Sequence, residues 1–279
     1  MISLNTTLQT LDLVNTGILD QGVVCLMQAL QQNPASALRY LYLGCNAEGP
    51  QSGAAIGAYL RTGFSRLTSL FCSCSRLGDE GVISIAEGLK FDRRLERLGL
   101  ESGRIGDAGA KALADALERH PALIMLDLGF RKGTYEMGEQ ANRITDEGLL
   151  YLGQKLIGWP EERKNSIRTL DVTHNSVTKD GAMTFVQNFV LGNGHLLHVR
   201  LSQTGTERNL EAERITKRLA KENKEQYFDL SKLNADEVAE REKVKEALDP
   251  RHIAEIYSIY RGTRISETIG NSDSSAGNM

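Results

Sequence analysis

The sequence has little of what would indicate a membrane protein, a disulfide-linked secreted domain or a nucleic-acid-binding protein. Its 279 residues include four cysteines, one tryptophan and five prolines, and four cysteines in a chain of this length do not form a disulfide framework. No apolar run approaches the roughly 20 residues that a membrane helix needs. The net charge of −3 gives no overall positive field for nucleic acid or an anionic membrane.

The first ten residues also lack a basic segment followed by an apolar one, so no secretory signal is expected. With cysteines expected to be reduced, this favours a cytoplasmic protein. A secreted effector that acts inside another cell is an alternative with the same composition. The rest of the composition, 41% hydrophobic and 25% charged residues, is that of an ordinary globular chain.

What the sequence does contain is an internal repeat, the first feature to look for in a chain of this kind. The clearest copy runs from Leu95 to Leu117 and reads L-x-x-L-x-L, then an isoleucine, an Asp-x-Gly step and two leucines four residues apart. Successive copies start 28 to 30 residues apart, except for one interval of 44 residues, at Leu8, Leu38, Leu67, Leu95, Leu123, Ile167 and Leu196.

Each copy predicts one strand, one turn and one helix. The last two leucines of L-x-x-L-x-L have the spacing of one strand face, and pairs such as Leu113 and Leu117 have the spacing of one helix face. At the Asp-x-Gly step, the aspartate is expected to accept the free N–H groups of the helix start, and the glycine to allow close helix–strand approach. One unit cannot bury its apolar face alone, so stacked units are expected to share a continuous core.

From Leu8 to about Leu201, this frame resembles the ribonuclease-inhibitor-like class of leucine-rich repeats. The resemblance implies an α/β leucine-rich-repeat solenoid (horseshoe) of about seven strand–helix units, with a concave parallel sheet, convex helices and a C-terminal helical extension. The class includes ribonuclease inhibitor, the Ran GTPase-activating protein and the sensor arrays of NOD-like receptors. It implies a scaffold that grips another protein, but a fold does not fix the partner.

The pattern breaks first at the N-terminus. Leu8 already belongs to a repeat, which leaves almost no room for a polar cap before the first strand. Because an exposed strand edge invites pairing, three interpretations stay open: a bare edge, self-association through this edge, or a chain that is part of a longer one.

The second break is an insertion of about eleven residues, 131–141, after the strand of the fifth copy. It is polar, with charges of both signs, and contains Arg131 and Tyr135 as candidate partner contacts. Long loops on a rigid scaffold often carry function. A tolerated surface insertion explains the same length, since loop length costs little free energy.

The third break is at the C-terminus. The solenoid is predicted to span residues 1–223. Residues 224–261 are charge-rich, with apolar residues at near-helical spacing and a helix start at Asn234-Ala-Asp-Glu. They are predicted to form a helical cap on the open end of the core or an amphipathic arm for a partner. Residues 262–279 are predicted to be disordered.

Strand alternation assigns three rows of residues to the concave face, counted from the first leucine of each copy. The third positions are Thr10, Tyr40, Ser69, Arg97, Met125, Thr169 and His198; the fifth are Asp12, Tyr42, Phe71, Gly99, Asp127, Asp171 and Arg200; the eighth are Asn15, Cys45, Cys74, Ser102, Phe130, His174 and Gln203. Neighbours in a row are about 4.8 Å apart. The rows therefore predict which side chains lie side by side.

Two predicted features on this face are candidates for partner binding. Tyr40, Tyr42 and Phe71 form an aromatic patch predicted to be exposed, as protein-binding anchors are; the alternative is that they only cover the sheet. A charged middle with the strand-end residues beside it is predicted to select a partner by charge: Asp127 and Asp171, flanked by Arg97 and Arg200, with Phe130 and His174.

No motif of a catalytic, cofactor or metal site is present: there is no G-x-x-x-x-G-K-[ST], no H-E-x-x-H and no paired C-x-x-C. Cys72 occupies a core position. Cys45 and Cys74 are neighbours within disulfide range, but their Cβ directions in a parallel sheet favour reduced thiols. His174 beside Asp171 has no nucleophile placed by a motif. The sequence predicts a protein that is not an enzyme and needs no cofactor.

The predicted function is therefore a non-catalytic scaffold or recognition module whose partner is another protein, with no nucleic acid or membrane. The alternative is a regulator of a small GTPase, by resemblance to the Ran GTPase-activating protein. That family usually ends in an acidic tail, and residues 262–279 are nearly neutral. Ribonuclease inhibitor itself is rich in cysteine and tryptophan, unlike this chain.

Overall fold

The computed structural model describes residues 1–46, 48–130, 140–157, 166–202 and 209–249. Within these ranges, seven strands of three residues each alternate with helices: β1 Thr10–Asp12, β2 Tyr40–Tyr42, β3 Ser69–Phe71, β4 Arg97–Gly99, β5 Met125–Asp127, β6 Thr169–Asp171 and β7 His198–Arg200. The helices are α1 Leu19–Gln31, α2 Pro50–Arg61, α3 Gly78–Leu89, α4 Asp107–Leu117, α5 Asp146–Leu152, α6 Lys179–Phe185, α7 Leu210–Tyr227 and α8 Ala235–Ala247. Among the described helices, none is long and apolar enough to cross a membrane.

The strands form one parallel sheet in the order β1 to β7. The register pairs equal positions of consecutive copies, so that Leu41 lies opposite Leu70 and Tyr42 opposite Phe71. The predicted solenoid of seven strand–helix units is confirmed. β1 forms one edge of the sheet, where Leu11 and Leu13 are only half-buried. Self-association through this edge stays a prediction.

The repeated leucines form one continuous core between the sheet and the helices. Leu98 and Leu100 of β4 and its end, and Leu113 and Leu117 of α4, are fully buried. Burial of a leucine side chain contributes about 1.5–3 kcal/mol relative to leaving it exposed. Cys72 lies in the same core, as its position predicts.

Buried asparagines connect the turns that follow the strands. The Asn142 amide donates to the carbonyls of Leu100 and Leu128, in two consecutive repeats. Its oxygen accepts the N–H groups of Gly103 and Ile105, both at 2.9 Å. Asn46 and Asn175 make the same kind of connection. Directly after the insertion, Asn142 thus attaches the chain to the turns of two repeats.

The helix-start aspartates act between repeats rather than within them. Asp79 of α3 accepts the N–H groups of Gly106 and Gly109 at the start of α4, both at 2.8 Å. Asp146 of α5 accepts the Thr178 N–H and hydroxyl at the start of α6. The prediction that each aspartate caps its own turn is wrong in this respect, because stacking places each carboxylate beside the free N–H groups of the next helix.

The C-terminal extension contains α8, which begins at Asn234 with a capping box formed with Glu237, as its sequence predicts. Residues of α7 such as Ala212 close the end of the main core. α8 lies instead across the starts of the later strands, where Val244 and Ala247 pack with Ile124, Leu197 and Tyr227 in a separate cluster. Residues 250–261 and the predicted disordered tail lie outside the described residues.

Candidate protein interface

The third row of the concave face changes in accessibility along the sheet. Arg97 and Met125, on β4 and β5, are 2% and 5% exposed. On β1 and β2, by contrast, Thr10 is exposed and Tyr40 is half-buried. The side chains of this row that a partner can reach are therefore Thr10 and Tyr40 at the β1 end and the half-buried His198 at the β7 end.

Arg97 is a structural residue rather than a surface charge. Its Nε donates to the Ser69 hydroxyl at 2.6 Å, and its Nη1 donates to the carbonyl of Ala247, the last residue of α8, at 3.0 Å. Helix C-termini carry free carbonyls and partial negative charge, which favour a cation there. The prediction that Arg97 is an accessible charge is wrong because α8 ends on it.

The predicted aromatic patch forms, but most of it is buried. The rings of Tyr42 and Phe71 stack with centroids 5.5 Å apart. Phe71 is fully buried and Tyr42 is 9% exposed. The Phe71 ring fills the space beside Gly99, where a Cβ would lie 2.2 Å from it. The predicted exposure of Tyr42 and Phe71 is therefore wrong, whereas Tyr40 remains half-buried.

The fifth-row aspartates close the turns at the ends of their strands. Asp127 accepts the Gly129 N–H at 3.0 Å, and Asp171 accepts the Thr173 N–H at 2.9 Å. Both are at most 5% exposed, and Arg200 forms an ion pair with Asp171 at 2.8 Å. The predicted acidic middle is thus largely withdrawn from the surface, and of these charges only Arg200 is exposed.

The eighth positions form a turn that places unusual demands on the backbone. Cys45, Cys74, Ser102 and His174, like Asn15, have φ between 53° and 61°, a left-handed conformation that is uncommon for residues other than glycine and, to a lesser extent, asparagine, aspartate and histidine. The ring of His174 also lies near that of Phe130, with the two ring centroids 5.7 Å apart. The same turn recurs in five repeats and gives the end of the sheet a fixed geometry.

The groups considered for chemistry are engaged in structural contacts. None of the four cysteines forms a disulfide, and Cys72 and Cys74 are buried. The carboxylate of Asp171 is held by Arg200 and the turn, as above. At the far end of the third row, burial and then the charges of Lys224 and Arg200 lower the pKa of His198, so its imidazole is neutral near pH 7. Arg131, Tyr135 and Gln203 lie outside the described residues.

The sequence analysis did not predict that α8 packs against the residues at the starts of the strands. Lys243 of α8 pairs with Glu96 at 3.2 Å, in addition to the Arg97–Ala247 hydrogen bond. The signal in the sequence was the apolar spacing that includes Val244, which predicts a buried helix face. Periodicity alone does not say which surface that face covers.

Comparison with known proteins supports the repeat. The Leucine Rich repeat family model matches residues 4–27, 93–114 and 163–186, which lie in the first, fourth and sixth copies. The fold is thus a leucine-rich-repeat solenoid, and its ribonuclease-inhibitor-like class stays a prediction. No curated protein sequence matches the chain.

Two solved structures are similar to part of this chain. One, titled leiomodin-1 actin-binding site 2, is 15% identical and covers 61% of this chain and 88% of its own, with a TM-score of 0.47. The other, a tropomodulin C-terminal domain from a Caenorhabditis elegans structural genomics project, is 18% identical and covers 62% and 94%, with a TM-score of 0.46. Because both TM-scores are low, these similarities do not indicate a partner for this chain.

Proposed function

We propose that this leucine-rich-repeat solenoid is a non-catalytic protein-binding module and that its partner contacts the β1–β2 part of the concave face. We call this surface the open strip, and it consists of Thr10, Asp12, Asn15 and Tyr40. The observation that carries the proposal is that the exposed Thr10, Asp12 and Asn15 adjoin the half-buried ring of Tyr40, whereas the third row is buried from β3 to β6.

Tyr40 is the best candidate for an anchor on the open strip. It is half-buried, so its ring is held in place and still has surface to offer. The guanidinium carbons of Arg39 and Arg97 lie 5.8 and 5.7 Å from its ring centroid. Tyrosines in such settings are enriched among the residues that dominate protein interfaces.

The residues around Tyr40 add polar groups on a rigid base. Asp12 and Asn15 are exposed, and Asp12 is fixed by the Val14 N–H at 3.0 Å. The backbone beneath them is paired in the sheet from β1 to β3. A surface that is ordered before binding loses little conformational entropy on association, which supports recognition of a folded partner.

The test compares partner capture by the intact chain, a Tyr40→Ala variant and a Tyr151→Ala variant. Tyr151 is a half-buried tyrosine of α5 on the convex side, hydrogen-bonded to Asp115 at 2.8 Å, and is a matched control. Truncation of an interface anchor costs about 2 kcal/mol or more, so Tyr40→Ala is expected to weaken capture at least about 30-fold, while Tyr151→Ala leaves it unchanged.

Thermal unfolding of both variants shows whether they remain folded. Equal capture by the intact chain and by folded Tyr40→Ala would contradict the open strip as the binding surface. The comparisons give no support to the alternative of a small-GTPase regulator, and no feature of the open strip favours it.

A further inference from the structure

We propose that a second surface, on the side of the sheet where the strands begin, binds an acidic, extended segment of a protein. This basic groove is defined by Arg39, Arg66, Arg93, Arg94 and Lys243. It is distinct from the open strip, and the proposal rests on the proposed function only in that the ligand is part of a protein.

The groove is built from the segments that precede the strands of several consecutive repeats. It has a volume of about 420 Å³ and is lined by Gln9, Ala37, Arg39, Arg66, Thr68, Arg93, Arg94, Glu96, Ala122 and Lys243. Arg66 and Arg94 occupy the same position, directly before the first leucine, in neighbouring copies. Consecutive strands are about 4.8 Å apart, so the arginines follow one another across the repeats.

Among the described residues, no ion pair neutralises the arginines of the groove. Arg39, Arg66, Arg93 and Arg94 are all exposed, and no carboxylate of the described residues is placed as an ion-pair partner for any of them. Glu96 is the one acidic residue in the lining, and Lys243 already pairs with it at 3.2 Å. The guanidinium groups of Arg66, Arg93 and Arg94 therefore remain to receive an anionic ligand, and that of Arg39 lies beside the Tyr40 ring.

The backbone that carries these arginines is fixed by side-chain hydrogen bonds. The buried carboxylate of Asp92 accepts the N–H groups of Arg94 and Leu95, both at 2.8 Å. One repeat earlier, the buried Ser65 hydroxyl accepts the Leu67 N–H at 3.3 Å. Turns held in this way present their charged side chains from defined points, which lowers the entropic cost of binding.

The chemistry of the groove favours carboxylates on a polypeptide over nucleic acid. The planar guanidinium donates two parallel hydrogen bonds to a carboxylate, and alternate residues of an extended chain project to the same side. No aromatic side chain is among the residues that line the groove, whereas single-stranded nucleic acid is usually bound by stacking on aromatic rings. The net charge of −3 also opposes long polyanions more than a short acidic segment.

The test uses the purified chain and a short, fluorescently labelled oligoglutamate peptide, with binding followed by fluorescence anisotropy at low and moderate salt. An oligoglutamine peptide of equal length and an oligothymidylate are the comparison probes. The test variant is Arg66→Gln/Arg93→Gln/Arg94→Gln, which leaves Arg39 beside the Tyr40 ring unchanged. The matched control is Arg214→Gln/Lys217→Gln/Arg218→Gln, which removes the same charge from exposed residues of α7.

The intact chain is expected to bind oligoglutamate, but not oligoglutamine, with an affinity that falls as salt rises. The groove variant is expected to bind about tenfold more weakly, as the loss of three exposed charge contacts implies, and the α7 variant to bind as the intact chain does. Equal weakening in both variants, no binding of oligoglutamate, or tighter binding of oligothymidylate would each overturn the proposal. None of these outcomes depends on capture through Tyr40.

Discussion

A few buried polar side chains hold neighbouring repeats together. Asn142 is 2% exposed and joins the turns of two repeats through four hydrogen bonds. A buried donor or acceptor that loses its partner costs about 1–3 kcal/mol. Most of the stability lost on removing the amide is therefore expected to come from the buried backbone groups that would be left unpaired.

Substitution of Asn142 tests this role. Asn142→Ala is predicted to lower the free energy of unfolding by about 2–4 kcal/mol, measured by urea denaturation. The control is Asn188→Ala, at an exposed position after α6, which is predicted to change stability by no more than about 0.5 kcal/mol. Similar losses for the two variants would show that the buried amide has no special role.

Asp20 makes part of this stability dependent on pH. Burial raises the pKa of its carboxyl, but hydrogen bonds from the Ser52 hydroxyl and from the Gly49 and Ser52 N–H groups outweigh burial, and the pKa lies below the ordinary 3.8. A carboxyl whose pKa is lower in the folded chain contributes stability above its unfolded pKa, and this contribution is lost as the pH falls through the folded value.

The difference in unfolding free energy between the native chain and Asp20→Asn is therefore predicted to be constant near neutral pH. Below 3.8, the ordinary pKa of the carboxyl, the difference is predicted to shrink. Denaturant titrations at a series of pH values measure it, with Asp180→Asn, an exposed helix-start aspartate of α6, as the baseline. A difference that does not change with pH would rule out this linkage.

Adjacent helices depend on glycine where the aspartate of one meets the start of the next. At Gly181, a Cβ would lie 1.9 Å from Oδ1 of Asp146, the atom that accepts the Thr178 N–H. Gly181→Ala is predicted to cost about 1–3 kcal/mol, measured by urea denaturation, because the Asp146 carboxylate must move away and give up its hydrogen bonds to Thr178. Gly194→Ala, where a Cβ would meet nothing within 4 Å, is predicted to be nearly neutral. If the two alanines had equal effects, α5 and α6 would not be in this close contact.

Among the helices and strands, α8 determines which part of the concave face is covered, because its last residue contacts Arg97. Val244 is 4% exposed and packs in the small cluster with Tyr227. Val244→Glu is predicted to detach α8, because it places a charge without a partner in an apolar contact. Hydrogen–deuterium exchange should then become fast in residues 235–247 and remain slow in the core of α1 to α4.

The control for α8 is Lys245→Glu, on its exposed side, which is predicted to leave exchange in the helix unchanged. Exchange that stays slow in Val244→Glu would mean that the cluster does not hold the helix. Fast exchange throughout the solenoid would mean that α8 is part of the same cooperative unit as the repeats.

For the whole molecule, the sequence predicted the fold well because each repeat carries its own local signals. The leucine spacing of Leu95 to Leu117 specifies a strand and a helix, and the register follows from stacking equal units. The face of each concave residue was also predictable from alternation. Its exposure was not, since that depends on contacts far apart in the chain.

Two residues show why the prediction of the site was incomplete. Arg97 is buried by Ala247, 150 residues later in the chain, and no local pattern encodes that contact. Phe71 is buried because its neighbour in the next strand is Gly99, which leaves room for the ring to lie against the sheet. The basic groove, by contrast, could have been predicted from the sequence, because Arg66 and Arg94 occupy the same position of the repeat.

The central claim is that a protein partner binds the open strip on the β1–β2 part of the concave face. Its most direct measurement is hydrogen–deuterium exchange of the chain with and without the partner retained in the capture experiment. Binding is predicted to slow exchange in β1 and β2, residues 10–12 and 40–42, and to leave the convex helices α2 to α4 unchanged. Slower exchange confined to those helices, with β1 and β2 unaffected, would contradict the claim.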